Sequence, residues 1–571
     1  MGNSSYYQIL LKHFLRYVPL MFLFASPLYA QTVPSVAEAD RVIVDPPNPV
    51  PDKIPEADES QKGITYKRQQ APAGSENIEA EFKTIDIEGA SPDFLPVLHV
   101  LAEPYLNKKT TLDKLWDLAN DITDYYRDNG YFLSFAYVPK QKITSGNVKI
   151  SVIEGYVGSV DIQSSDDKKY DYDLLKSLIR DIESRKPLSA TDLEEFALRV
   201  NDLPGIQTRL IVKQEEKKTD PGRVTLVLIP SEEKSVKFVS VDNYDSRFLG
   251  PFKAIAGWNG SFIPLVQSNL SLAHSLEEDE LFFGNMNHRI ALSRRWFASF
   301  YASHVRTQPG STIERNDINN TSTVFGGSIG FQPIRQRREN LSFTLGFEHR
   351  KVDGDIFSDA PLTRDNIRLV RLTASYDTDD ALGGYNYLTL GFDHGLKVLG
   401  ASKAGQANLS RAEADPEFRI LSANLVRQQP ITQDFFLVNQ GAVQFTQDPL
   451  FSSGEFGYGG NNFGRAFDPS EIIGDNGAAI SFELRYFGLN DNSPLNIVPY
   501  TFYDFGHVWN EDSANSNEVT ASSAGAGARF LHSSGFSADI GLAFPLIKEI
   551  EFPQYGNDKN PRLLFQTRYV F

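Results

Sequence analysis

The chain has 571 residues, of which 41% are hydrophobic and 12% aromatic, with a formal net charge of −17 and no cysteine. The acidic balance argues against nucleic acid as a partner, because neutralising phosphates requires clustered Lys and Arg. Without cysteine there is no disulfide, thiolate metal site or thiol nucleophile, and the length allows two to four domains.

Lys12, His13 and Arg16 precede the apolar run Tyr17–Ala25, and Ser26–Ala30 supplies small residues before a cut ahead of Gln31. The run is too short for a spanning helix and reads as a removable signal peptide over 1–30. No other segment approaches the apolar length that a spanning helix needs, so a membrane-embedded mature protein has to cross as a closed barrel. Residues 31–80 form a linker. Val36–Ile43 suits a short helix, either a plug or a plain tether, and the Pro-rich stretch Asp45–Asp52 stays extended.

Residues 81–233 follow a globular grammar. Phe82, Ile85 and Ile87 mark a short strand before Gly89. Leu112, Leu115, Leu118, Ala119, Ile122 and Tyr126 then recur at helical spacing behind a Thr111 cap, and Asn129-Gly130 ends that helix. Tyr131–Tyr137, Val148–Ile153 and Val157–Ile162 alternate as strands. A second stretch repeats the plan, with helix stripes at Leu174–Ile179 and Leu193–Val200, a break at Asn201–Gly205, and strands at Ile206–Val212 and Val224–Ile229. The expected units are 81–157 and 158–233, each α+β.

From 234 to 571 no long helical stripe occurs, and alternating segments recur instead. Leu341, Phe343, Leu345 and Phe347 alternate with Ser342, Thr344, Gly346 and Glu348, and Phe536–Phe544 repeats the pattern. The segment Leu563–Phe571 carries Leu563, Phe565, Thr567, Tyr569 and Phe571 on one face, with Gln566 and Arg568 on the other. A soluble sheet has to cover such a face with another layer, whereas a barrel in lipid uses the bilayer. At about ten residues per strand plus connections, this stretch suits about sixteen antiparallel strands.

Several motifs resemble the two-partner secretion transporters (TpsB proteins) of the Omp85 superfamily. Asn129-Gly130-Tyr131, Val138-Pro139-Lys140-Gln141, Gly146 and Val152–Gly155 resemble that family's first POTRA domain. Lys186-Pro187-Leu188, Leu193-Glu194 and Asn201–Gly205, which contains Pro204 and Gly205, are similar to the signature of its second. Val241–Tyr244 with Gly250 resembles the entry into its barrel. Gly459–Phe467 looks like the superfamily's loop folded into the lumen, although Gly464 and Ala466 stand where Val and Gly are usual. Phe502-Tyr503-Asp504-Phe505-Gly506 is similar to its Phe-x-Asp-x-Gly strand motif.

The resemblance implies an outer-membrane barrel of a Gram-negative cell with two periplasmic POTRA domains. It implies export of a large secreted TpsA-type partner (haemolysin, adhesin, haem-binding protein or contact-dependent toxin) captured by the POTRA domains. The alternatives are an Omp85-type assembly factor and a passive porin or receptor. Outer-membrane lipid and the barrel assembly machinery are the further partners expected, with Tyr569 and Phe571 as the assembly signal. Gly464, Arg465 and Phe467 are expected to meet Asp504 and Gly506, because an Arg that has lost hydration needs a carboxylate matching its planar fork. The nine histidines show no metal-ligand spacing, and no phosphate loop or Gly-x-Ser-x-Gly elbow occurs. The expectation is a transporter, not an enzyme, with no cofactor or metal.

Overall fold

The computed structural model describes residues 68–164, 170, 172–214, 220–357, 360–489, 493–511, 518–551 and 558–571. The expected signal peptide, the Val36–Ile43 helix and most of the linker lie outside these residues. The described chain divides into two units, one ending at Glu233 and one containing the barrel.

In the first unit, β1 (Glu79–Glu81), β2 (Thr84–Glu88), α1 (Leu95–Ala102), β3 (Lys109–Thr111), α2 (Lys114–Asp128), β4 (Phe135–Tyr137) and β5 (Asn147–Ile153) make up an α+β domain. Its sheet has the order β2-β5-β4, with β2 parallel and β4 antiparallel to β5. Ile85, Ile87, Val148, Ile150 and Val152 bury one sheet face against Leu98, Leu115, Leu118, Ala119 and Ile122. Tyr126 is fully buried and donates to Glu154 Oε1 at 2.8 Å. Burial, then Glu154, holds its phenol well above the ordinary range.

One local expectation needs correction, and one helix has no signal in the sequence. Thr111 ends strand β3, and the residue at the helix N-cap is Asp113, without a side-chain cap bond. Helix α1 carries no stripe that would have announced it. It is eight residues long with Pro at its start, and Val97 and Val100 face outward.

A second domain follows within the same unit, with β6 (Tyr156–Ile162), α3 (Asp173–Glu183), α4 (Ala190–Asn201), β7 (Ile206–Gln214) and β8 (Arg223–Glu232). Its sheet has the order β6-β8-β7, with β6 parallel and β7 antiparallel to β8. Apart from the separate two-stranded β1–β3 sheet, the strand–helix–helix–strand–strand order of the first domain recurs. Helix α4 starts at a reciprocal Ser189–Asp192 capping box.

The barrel unit is a closed ring of sixteen strands, from Val236–Asp242 to Arg562–Val570, each antiparallel to its neighbours. Among the described residues no helix is long and apolar enough to cross a membrane. Period-two alternation sorts the faces. Phe536, Ile540, Leu542 and Phe544 point outward, as do Leu563, Tyr569 and Phe571, while Arg562 and Arg568 are buried inside. The ring closes where Val236–Asp242 meets Arg562–Val570, over five register pairs from Gln566–Asp242 to Val570–Phe238. Side chains lengthen this short ladder. Asn243 Nδ2 donates to Leu563 O, and Asn243 Oδ1 accepts from Phe565 N–H, both at 2.7 Å. Phe571 exchanges backbone bonds with Lys237.

Candidate functional site

Between the strands Phe435–Thr446 and Asn476–Tyr486 the chain turns inward as a loop, residues 447–475. Most of its residues from Leu450 to Asp475 are buried. A short hairpin, Phe456–Tyr458 with Ile472–Gly474, forms its stem. At the tip Gly464 has φ +73°, a left-handed conformation that a side chain would strain. This turn aims the following residue, Arg465, at the wall.

The wall is ready for it because strand register aligns three residues. Ser481 pairs with Asp504, and Asp504 with Ser523, across three neighbouring strands. Asp504 is fully buried and accepts from Ser481 Oγ at 2.7 Å and Ser523 Oγ at 3.1 Å. Arg465 supplies three more donors to it: Nη2 at 2.9 Å, Nε at 3.2 Å and its backbone N–H at 3.0 Å. The guanidinium also reaches Glu483 Oε2 at 2.5 Å and sits 3.5 Å over the Phe502 ring. The contact is charge-assisted on both sides and forked on the Asp504 side.

The pair sits within a larger network. Glu483 also holds Arg485 at 2.6 Å and Arg529 at 2.8 Å, and Arg529 holds Asp539 at 2.9 Å. Tyr500 donates to Asp539 at 2.7 Å. Three guanidinium groups thus face three carboxylates, which meets the requirement that buried charges be paired. Glu483, Arg485, Arg529 and Asp539 were not singled out from the sequence. Their signal was present, since Ser481, Glu483 and Arg485 alternate with Ile480, Phe482 and Leu484 along one strand.

Phe467 is buried with its ring 6.0 Å from that of Tyr458. A Cβ on Gly506 would stand 2.1 Å from Tyr458 Cδ2, so glycine at that wall position is what admits the tyrosine ring. Further tethers hold the loop elsewhere. Arg562 on the last strand pairs with Asp468 at 2.7 Å, Arg350 donates to Ser453 O at 2.6 Å, and Arg411 grips Asp475.

The domain motifs fall at turns and at the joint between the two α+β domains. Gly130, with φ +87°, follows α2, and its carbonyl accepts from Ala190 N–H at 2.8 Å. Gly155 O accepts from Leu188 N–H at 2.8 Å. Tyr131 stacks edge-on against Phe94. Gln141 brackets Lys149 with two bonds of 2.7 Å and touches Pro139 O at 3.5 Å. Pro204 and Gly205 make the turn into β7, where Gly205 N–H meets Glu233. Tyr569 and Phe571 stack with centroids 5.9 Å apart on the outward face. Among the described residues no His/Cys/Asp/Glu group could hold a metal ion.

Comparison with known proteins places this arrangement. Residues 294–530, which include Arg465 and Asp504, match the model of the haemolysin secretion/activation protein ShlB/FhaC/HecB. Residues 81–155 match the ShlB-type POTRA domain. The chain is 25% identical to the heme/hemopexin transporter protein HuxB of Haemophilus influenzae strain 86-028NP, over 79% of this chain and 81% of that one. It is 22% identical to the outer membrane transporter CdiB of Escherichia coli O6:K15:H31, over 78% and 76%. In fold it is similar to the solved structure of CdiB from Escherichia coli, with a TM-score of 0.71 and 18% identity over 89% and 93% of the two chains. CdiB from Acinetobacter baumannii matches with a TM-score of 0.63, at 16% identity and the same coverage. The chain belongs to the haemolysin secretion/activation protein family (ShlB/FhaC/HecB) of outer-membrane transporters.

Proposed function

We propose that this protein exports one large secreted partner across the outer membrane by two-partner secretion, through a barrel gated by the loop 447–475. The single observation that carries the gating is Arg465. It fastens the tip of the loop to a wall carboxylate inside a closed ring, whereas a passive pore has no need of such a latch. The α+β domains supply the capturing surface, on the periplasmic side. The second domain repeats the element order of the POTRA-matched first and is read as a second POTRA domain. An extended segment of the partner would add to a free sheet edge or lie in a groove there. Lipid covers the outward apolar face, and Tyr569 with Phe571 is the feature that the barrel assembly machinery reads.

The test compares proteins in the culture medium of cells with and without this chain. A large protein should appear in the medium only when the chain is present. It should vanish when Arg465 and Asp504 are both replaced by Ala, while the barrel is still assembled. Media identical with and without the chain would overturn the reading.

A further inference from the structure

The outer surface of the barrel carries a cation, Arg368, for which the described residues supply no counter-charge. Across five neighbouring strands, Leu345, Leu372, Phe392, Leu421 and Phe445 stand directly opposite one another, and all five are exposed. This row belongs to the lipid-facing wall. Residues of the opposite parity, Glu348, Arg350 and Arg371, turn into the lumen and hold one another. His349 and Arg368, a register pair, share the parity of Leu345 and Leu372 and lie two side-chain steps beyond them.

The chain enters its first barrel strand from the periplasmic domains at Val236, and successive strands alternate in direction. The seventh, Glu339–Ile356, therefore runs from the periplasmic to the extracellular end. Arg368 lies beyond the apolar row on the extracellular side.

Arg368 is 6% exposed. Its guanidinium donates to two backbone carbonyls, Ile367 O at 2.9 Å and Leu399 O at 3.1 Å, and no carboxylate among the described residues pairs with it. Carbonyls accept hydrogen bonds but do not cancel a charge, and a covered charge without a counter-ion is costly. The neighbouring cations do have carboxylates. Lys351 holds Asp353 at 2.5 Å, Arg364 holds Asp355, Lys397 holds Glu417 at 2.8 Å, and Arg419 holds Asp448 at 3.2 Å. Two imidazoles complete the surroundings. The ring of His349 stacks on Phe325 at 4.3 Å, and His394 Nδ1 meets Phe418 O at 3.3 Å. An ionised side chain on a lipid-facing wall marks a site, because acyl chains cannot solvate it.

We infer that Arg368 binds a phosphate of an outer-leaflet glycolipid, of the bisphosphorylated lipid A type, whose acyl chains lie along the row from Leu345 to Phe445. A guanidinium suits a phosphate through its forked donors. The apolar row decides the source of the anion, because a phosphate carried on acyl chains gains that contact and a free phosphate does not. Leu399 O and Leu396 N–H are both bonded to Arg368, so the bound lipid also seats the loop beyond Gly395 at the membrane surface.

The test titrates the full-length protein, purified in a non-ionic detergent, with bisphosphorylated lipid A and counts bound lipid by native mass spectrometry. Arg368→Gln should bind at least about tenfold more weakly than wild type, the size expected for losing a hydrogen bond to a charged group. Arg368→Lys, which keeps the charge, should bind more tightly than Arg368→Gln. Arg295→Gln, at an exposed position of a periplasmic turn, should bind as wild type does. Lipid A stripped of both phosphates should bind the wild type at least about tenfold more weakly than the intact lipid. That arm needs no variant, so it decides the matter even where Arg368→Gln assembles poorly. Equal binding of the intact and stripped lipids, or of wild type and Arg368→Gln, would overturn the inference. Displacement of the lipid by an equal concentration of inorganic phosphate would overturn it too, by showing an anion site that takes no account of acyl chains.

Discussion

Arg465 donates more hydrogen bonds than charge pairing alone requires, and the excess predicts how substitutions will rank. Removing Asp504 leaves the buried guanidinium with Glu483 as its remaining carboxylate, a loss of roughly 3–5 kcal/mol for a broken buried pair. Asp504→Ala should therefore cut secretion at least about tenfold while the barrel still shifts mobility on heating in gel electrophoresis. Arg465→Lys keeps the charge but cannot contact Asp504 twice, Glu483 and Ser481 together. Its secretion should fall between wild type and Asp504→Ala in the same medium assay.

A second residue makes a pH-dependent case. Glu280 lies in a loop beyond the strand that ends at Ser275, and burial, then Glu277, Glu278 and Glu314, push its carboxyl up to about 7. A raised carboxyl favours the protonated form in the folded state. The stability it contributes is present below its ordinary value and is lost as pH rises through about 7. Glu280→Gln should be neutral at low pH and stabilising above pH 7, by about 1 kcal/mol once screening at a half-exposed site is allowed for. Thermal unfolding in detergent at several pH values checks this, and a benefit greatest in acid would contradict it.

At the scale of elements, the two α+β domains have their own cores and sheets, so removing them takes no strand from the ring. Deleting residues 81–232 should abolish chain-dependent release yet leave a heat-modifiable barrel in the outer membrane. Release at the normal level would remove these domains from the export route. How legible these elements were depended on stripe length. Helix α2 declared itself through five apolar positions at helical spacing, Leu115 to Tyr126, whereas α1 is short, has Pro96 in its first turn and exposes Val97 and Val100. Thr111 looked like a cap because Ser and Thr often cap helices, but pairing with Glu79 takes it into a strand. Arg465 and Asp504 were legible because motifs carry them. Glu483, Arg485, Arg529 and Asp539 were legible only as lumen-facing residues. Which of them meet depends on strand register, and a slip of one residue would turn each to the lipid.

For the molecule as a whole, ring closure depends on the shortest ladder between the first and last strands. Asn243 stands in for missing backbone pairs there. Asn243→Ala leaves Phe565 N–H and Leu563 O without that partner, at about 1–3 kcal/mol for each unsatisfied buried group. The variant should unfold at a lower temperature in the heat-modifiability assay, whereas an exposed polar residue replaced on a periplasmic turn should not. Arg562 ties the same seam to the loop, because it binds Asp468 while donating to Tyr244 O and Asp245 O.

The three-against-three charge balance behind Arg465 has a consequence for the open conduit. In the proposed gating, departure of the loop takes Arg465 out of this network and Asp468 away from Arg562. Glu483 and Asp539 still share Arg485 and Arg529, but Asp504 keeps only the hydroxyls of Ser481 and Ser523. Within this network Asp504 would then be the carboxylate without a cation, at a fixed height on the wall. On the proposed gating, that anion would draw Arg465 back after each passage and until then would offer a momentary foothold to a lysine or arginine of the chain in transit.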